Sequence, residues 1–152
     1  MRTALIVANR TVGGAELANA VRERLDREDY AFHLMVPVTS SVSTSIALGS
    51  MAVDTLPMDN LDLPNEREKA DERLQFGLEW LGSLGVPVTG EVITDADTVA
   101  AVCRVVQQRA IDEVIISTLP STLSRWLRQD LPHRIERKVT VPVTVVTSKS
   151  SA

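Results

Sequence analysis

The segment that follows an apolar run near residue 115 carries the residue types that could hold an anion. Within nine positions it supplies five hydroxyl side chains and one guanidinium: Ser117, Thr118, Ser121, Thr122, Ser124 and Arg125. Hydroxyls, helix-start N–H groups and an arginine fork all donate hydrogen bonds to phosphate oxygens. A small-anion site is therefore one interpretation. Local capping is the other, because Ser121 or Thr122 could cap a helix beginning near Leu123 without a ligand.

A second set of polar residues follows the first apolar run, Ala4–Ala8. Asn9 could contact an adenine edge or a ribose hydroxyl, because an amide both donates and accepts hydrogen bonds. Asn is equally a common turn residue, and both interpretations stay open. Thr11 stands two positions later, and Val38 ends the second apolar segment. These three residues join the candidate set.

The glycine pair after the first apolar run, and the histidine and aspartate side chains discussed next, are all predicted to have structural roles that need no ligand. The pair Gly13-Gly14 fits neither the three-glycine dinucleotide fingerprint nor the Gly-Lys-Ser/Thr phosphate loop, so it is predicted to shape a turn. His133 lacks a nucleophile or acid partner, and His33 is predicted to be a packed neutral histidine. Asp95 and Asp97 are predicted to cap a helix rather than bind magnesium. We therefore predict no catalytic residues and no metal site, which makes an enzyme the less favoured class.

The composition of the chain narrows the classes of partner. The 152 residues are 44% hydrophobic and 3% aromatic, which indicates an aliphatic core. Sixteen basic residues stand against twenty acidic ones, for a net charge of −4, so no nucleic acid partner is predicted. No stretch approaches the roughly 20 apolar residues of a membrane span. A single cysteine, Cys103, excludes an internal disulfide, and a cytoplasmic location is expected.

The candidate residues must be positioned by short strands that alternate with amphipathic helices. Apolar or β-branched runs predict five strands, at Ala4–Ala8, Ala31–Val38, Val86–Ile93, Asp112–Ser117 and Val139–Thr147. Helical periodicity predicts helices over Gly14–Glu28, Glu66–Gly85 and Thr98–Ala110, with another after the fourth strand. This alternation is typical of a doubly wound, mostly parallel α/β sheet. In such sheets a ligand lies beyond the carboxyl ends of the strands, near a switch in strand order.

Several finer features of these elements are predicted as well. On the first helix, Arg22, Arg24 and Arg27 alternate with glutamates and are predicted to form a solvated face. One domain is expected over residues 1–148, with an irregular loop at about 40–64 and a disordered tail at 149–152. Helix-spaced leucines between Glu66 and Gly85 predict one buried helix face.

The phrases "LIVANRT", "DEVIIS" and "VPVTVV" resemble the universal stress protein family. The phrases "STLP…SRWLRQDLPHR" and "VPVT" resemble a divergent actinobacterial subgroup of it. The resemblance covers nearly the whole chain. It implies a three-layer α/β/α fold with a five-stranded, mostly parallel, doubly wound sheet. It also implies a homodimer formed through the final strand, Val141–Val146, and a possible adenine nucleotide, ATP or AMP, as ligand.

The sequence departs from the glycine-rich ATP motif of that family. Its glycine places correspond approximately to Ser117, Pro120 and Gln129–Asp130, and none is glycine. Pro120 has no N–H to donate, and Asp130 adds negative charge. The family's acidic residue after the first strand is Asn9 here. We therefore expect a non-catalytic regulatory or stress-response module that does not bind ATP in the standard way. A nucleotide or small-anion binder with a remodelled pocket is the alternative.

Overall fold

The computed structural model describes residues 1–8, 11–38, 62–94, 97–118 and 131–147, with no side chains described for 62–66. Strands and helices alternate along the chain as predicted. In order they are β1 Arg2–Val7, α1 Ala15–Arg27, β2 Tyr30–Pro37, α2 Asp62–Gly82, β3 Val88–Ile93, α3 Thr98–Gln108, β4 Glu113–Thr118, α4 Leu131–Glu136 and β5 Val143–Thr147.

The segment predicted to be an irregular loop at 40–64 is helical at its end. Helix α2 begins at Asp62 rather than near Glu66, and Pro64 stands in its first turn. A proline is tolerated there because the first helical N–H groups have no intrahelical partner. Positions 39–61 and the predicted tail at 149–152 lie outside the described residues.

The five strands form one sheet in the order β3-β2-β1-β4-β5. Every pairing is parallel, which confirms the predicted doubly wound α/β architecture. After β1 the chain winds outward through β2 to β3, and then returns to place β4 on the other side of β1. The switch in strand order therefore lies between β1 and β4, where ligands bind in sheets of this kind.

Helices cover both faces of the sheet, so the central strands are buried on both sides. Ala4 and Ile6 of β1 belong to the apolar cluster that also contains Leu17 of α1 and Leu74 of α2. The side chain between them, Leu5, belongs to a second cluster on the opposite face, which includes residues of α3 and α4. These two clusters fill the interfaces between the sheet and the helices on its two faces, which makes a three-layer α/β/α fold.

The predicted helix faces and caps are largely confirmed. In α2, Ala70, Leu74 and Leu81 are buried, and Gly85 adopts φ +80° just beyond the helix end. An αL conformation at a helix end is favourable for glycine because it has no Cβ. Asp97 caps α3, and its Oδ1 accepts a hydrogen bond from the Ala100 N–H at 3.2 Å.

Candidate functional site

The carboxyl ends of β1 and β4 bring together residues that are about a hundred positions apart in the chain. The ladder between these strands runs to the pair Val7 and Ile116. The residues that follow are therefore neighbours: Thr11 after β1, and Ser117 and Thr118 at the end of β4. All three side chains are nearly inaccessible to solvent. This edge coincides with the switch in strand order.

The turn from β1 into α1 is fixed by glycine. The Gly14 N–H donates to the Thr11 carbonyl at 2.9 Å, which closes a four-residue turn. Gly13, third in that turn, has φ +83°, a value that residues with a Cβ adopt rarely. A Cβ at Gly13 would also collide with the ring of Phe76 from α2. The prediction that the two glycines shape this turn is confirmed.

Thr11 and Ser117 satisfy each other's hydrogen bonds. The two hydroxyl oxygens are 2.6 Å apart, and Thr11 Oγ1 lies 3.1 Å from the Ser117 carbonyl. If Thr11 donates to that carbonyl, the Ser117 O–H donates to Thr11, and both hydroxyl protons are used. This pair joins the β1–α1 turn to the end of β4. It also withdraws two of the predicted ligand-binding hydroxyls from direct contact with a ligand.

Thr118 differs from its neighbours in the same site. Its side chain is 2% exposed, yet its Oγ1 has no hydrogen-bond partner among the described residues. Leaving a buried hydroxyl unpaired is unfavourable by about 1–3 kcal/mol. Buried polar groups without a partner are rare in proteins, so this hydroxyl is a candidate for a ligand contact.

The other predicted site residues divide into two groups. Val38 is half-buried, packs against the first apolar cluster, and donates its N–H to the Ile93 carbonyl at 2.9 Å. Its described contacts are therefore those of a packing residue at the end of β2. The remaining predicted residues, Asn9, Ser121, Thr122, Ser124 and Arg125, lie outside the described residues. So do the approximate glycine-motif positions Pro120 and Gln129–Asp130.

The residues predicted to be structural behave as such where they are described. His33 is 1% exposed, with Nδ1 2.7 Å from Thr89 Oγ1 and Nε2 2.8 Å from Glu91 Oε2. Burial lowers its pKa, against the hydrogen bond with Glu91, so its neutral form is favoured. His133 is exposed on α4. Across the described ranges, no cluster of three metal-ligating side chains occurs.

The amino end of the same sheet contains a buried ion pair that the sequence analysis missed. Arg24 was predicted to be solvated, but only 8% of it is exposed. Its Nε and Nη2 donate to the two carboxylate oxygens of Glu113 at 2.9 and 3.0 Å. Tyr30 donates to the same carboxylate at 2.6 Å. The prediction was wrong because α1 turns Arg24 toward the sheet, where Glu113 opens β4.

The protonation states of this network follow from its geometry. Burial disfavours the charged form of Glu113, but hydrogen bonds from Arg24 and Tyr30 outweigh it, so the pKa of that carboxyl is lowered. Burial, reinforced by the nearby carboxylate, raises the pKa of Tyr30 to about 12. The sequence did contain one signal, because an acid that directly precedes the buried run Val114–Ile116 requires a partner.

Solved structures of universal stress proteins have the same fold as this chain. A universal stress protein of Arabidopsis thaliana, solved with AMP bound, has a TM-score of 0.61 at 13% identity over 99% of this chain and 94% of its own. One from Archaeoglobus fulgidus has a TM-score of 0.57 at 9% identity, over 96% and 93% of the two chains. One from Burkholderia pseudomallei has a TM-score of 0.53 at 13% identity, over 95% and 94%.

The comparisons confirm the resemblance to universal stress proteins at the level of the fold. No family model matches the sequence, and no curated protein is similar to it. In the part of the chain that the structure describes, no helix is long and apolar enough to cross a membrane. The chain thus has a universal stress protein-like α/β fold with a highly divergent sequence.

Proposed function

We propose that this protein is a non-catalytic, universal stress protein-like regulatory module that binds a small polar ligand at the carboxyl ends of β1 and β4. The ligand class that we favour is an adenine nucleotide such as AMP, or a small anion. This ligand is bound without the glycine-rich loop that surrounds the phosphates of ATP in ATP-binding universal stress proteins. The module acts by presenting a ligand-dependent surface rather than by transforming the ligand.

The observation that carries this proposal is the hydroxyl of Thr118, which has no hydrogen-bond partner among the described residues. It is buried at the switch point, the place where ligands generally bind in open α/β sheets, and no described residue uses its capacity to donate one hydrogen bond and accept others. A ligand oxygen or nitrogen that reached Thr118 Oγ1 would remove an unfavourable buried group. A hydrogen bond to Thr118 would therefore add more to the free energy of binding than one to an exposed threonine, whose hydroxyl already bonds to water.

The chemistry of the neighbouring residues favours binding over catalysis. The Ser117 hydroxyl is paired with Thr11, and its described contacts include no histidine, lysine or carboxylate that could act as a base. An unactivated serine is a weak nucleophile. The similar fold of the Arabidopsis thaliana protein, solved with AMP, supports a nucleotide as the first ligand to test.

We further propose that the protein forms a cytoplasmic homodimer through β5. Among the described strands it is at one edge of the sheet, and no described strand pairs with its outer N–H and C=O groups. Val145, at its centre, is 40% exposed. Edge strands with apolar side chains readily pair with a second copy. Light scattering at tens of micromolar should give twice the monomer mass, and a monomer would contradict the dimer.

A thermal-shift series tests the ligand proposal. AMP, ATP, a cyclic nucleotide and inorganic phosphate are titrated separately, with and without magnesium. A ligand at about 100 times its dissociation constant adds about 2.7 kcal/mol to stability. For a domain of this size, the melting temperature should rise by roughly 5–10 °C.

Thr118→Val and Thr118→Ser are the matched variants. The valine removes the hydroxyl at nearly constant shape and should abolish the shift, whereas the serine keeps the hydroxyl and should retain most of it. If none of the four compounds shifts the wild-type protein, the ligand proposal is wrong as stated. An equal shift in Thr118→Val would show that the ligand lies elsewhere.

A further inference from the structure

The side-chain pattern of the central strands β1 and β4 does little to determine the register in which the two strands pair. The residues Leu5 and Ile6 of β1, like Ile115 and Ile116 of β4, are completely buried although they point to opposite faces. An alternation of polar and apolar side chains normally fixes register, because a one-residue shift moves each side chain to the other face. Here such a shift would exchange one aliphatic side chain for another, so the apolar pattern discriminates weakly.

Glu113 stands at the start of β4 and, together with its partner Arg24, is bonded to its surroundings in three directions. Arg24 reaches it from α1 and Tyr30 reaches it from β2. The same guanidinium donates to the Ala20 carbonyl at 2.9 Å and lies 3.4 Å from Thr144 Oγ1 on β5. One buried carboxylate thus relates β4 to a helix and to strands on both sides of it.

A one-residue shift of β4 would break this network. The Glu113 side chain would move to the opposite face of the sheet, and the buried Arg24 guanidinium would lose both carboxylate contacts. An unpaired buried charge is strongly destabilising, and buried polar groups can select one arrangement among several similar ones. The penalty for the shifted register therefore comes from the polar network and not from the aliphatic core.

We propose that Glu113 is a positioning residue for the ligand edge: its buried network with Arg24 and Tyr30 selects the register of β4 that places Ser117 against Thr11 and turns Thr118 to the opposite face. Ser117 and Thr118 follow Glu113 by four and five positions on the same strand. A shift by one residue would interchange the faces of these two hydroxyls. The importance for a ligand rests on the proposed function, whereas the register itself does not.

A second contact at the start of β4 supplies the control. Asp112 Oδ2 accepts from the Thr3 N–H at 2.8 Å, and the Asp112 N–H donates to the Thr3 carbonyl at 2.8 Å. This contact also relates β4 to β1, but the Asp112 side chain is exposed. Its loss leaves no buried charge, so Asp112→Ala should not change the register.

Disulfide formation can report the register directly. In a Cys103→Ala background, Thr11 is replaced by cysteine together with one partner: Ser117→Cys, Ile116→Cys or Thr118→Cys. The native register brings positions 11 and 117 together, since their hydroxyl oxygens are 2.6 Å apart. The pairs 11–116 and 11–118 bring cysteines together only when β4 has shifted in one direction or the other. Crosslinking is quantified under mild oxidation by mass spectrometry.

The decisive variant replaces the network by apolar side chains of similar size, Arg24→Met, Tyr30→Phe and Glu113→Leu together. We expect a melting temperature near that of the wild type, because a packed apolar substitute can be as stable as a buried ion pair. We also expect at least a tenfold rise in the 11–116 or 11–118 crosslink relative to 11–117. Asp112→Ala should keep the wild-type ratio.

Three results would overturn the proposal: an unchanged crosslink ratio in the folded triple variant, the same rise in Asp112→Ala, or an 11–117 pair that does not dominate in wild type. If the triple variant does not fold, Arg24→Lys is used in its place, because lysine keeps the charge but cannot form the two-pronged contact. Arg24→Lys should measurably raise the 11–116 or 11–118 crosslink relative to 11–117. An unchanged ratio in this variant also refutes the proposal. A wild-type protein that binds none of the tested ligands would refute the ligand proposal only, since crosslinking needs no ligand.

Discussion

The two ends of the sheet differ in how completely their buried polar groups are hydrogen-bonded. At the amino end, Glu113 accepts three hydrogen bonds from Arg24 and Tyr30. At the carboxyl end, Thr11 and Ser117 pair with each other, but the hydroxyl of Thr118 has no described partner. The complete network serves the stability and uniqueness of the fold. The incomplete one is where a ligand could still add a bond.

The largest effect should come from breaking the complete network. Glu113→Ala leaves the Arg24 guanidinium buried without its counter-charge, so the free energy of unfolding should fall by about 3–5 kcal/mol. Urea denaturation measures the loss. The exposed pair Arg2–Glu28 is the control, because both side chains are about half exposed. Arg2→Ala should change stability by no more than about 1 kcal/mol, and equal losses in the two variants would contradict the distinction.

The Thr11–Ser117 pair should have an intermediate effect. Thr11→Val removes the acceptor of the buried Ser117 hydroxyl and should lower the free energy of unfolding by about 1–3 kcal/mol. Thr11→Ser keeps the oxygen and should recover most of that loss. The double variant Thr11→Val, Ser117→Ala should be less destabilised than the sum of its single variants, because neither hydroxyl is then left without a partner. Strict additivity would show that the two side chains are not coupled.

Thr118 should respond in the opposite direction to the other buried polar residues. Thr118→Val removes a buried hydroxyl that has no partner among the described residues, so the free energy of unfolding without ligand should rise by about 1 kcal/mol. The same variant should lose the ligand-dependent thermal shift. A gain in stability together with a loss of binding distinguishes a functional group from a structural one. Destabilisation by Thr118→Val would instead indicate that the hydroxyl has a structural partner.

The smallest effect concerns pH and His33. Its folded-state pKa lies below the ordinary value of 6.5, first because the ring is buried, with a further contribution from the charge of Arg109. The unfolded chain therefore takes up the proton first as the pH falls. The contribution of neutral His33 to the free energy of unfolding should be fully present above about pH 6.5. Below that pH the free energy of unfolding should decline, by less than about 1.4 kcal/mol per pH unit.

Melting temperatures between pH 7.5 and pH 5 test this dependence. His33→Asn should flatten the decline, whereas His133→Asn, on the exposed surface of α4, should keep the wild-type slope. An unchanged slope in His33→Asn would assign the dependence to another group.

The sequence predicted the elements better than the polar contacts between them, and particular residues show why. The alternation of strands and helices follows from local periodicity, and Asp97 was identified as a possible cap because capping is a local interaction. Arg24 was misplaced because its charged neighbours indicated solvent, whereas its partner Glu113 is 89 residues away. The Thr11–Ser117 contact and the burial of Thr118 without a described partner depend in the same way on strand order, which the local pattern does not determine.

The central position of β1 has a consequence for the nascent chain. Residues Thr3 and Asp112 become neighbours across a separation of 109 positions. Translation at about 5–20 residues per second needs roughly 5–20 s to cover that distance. During this interval β1 can pair with β2, but the backbone groups of its other edge are unpaired and the side chains on both of its faces are strongly aliphatic. Until β4 emerges, this edge of β1 is therefore exposed to non-native pairing.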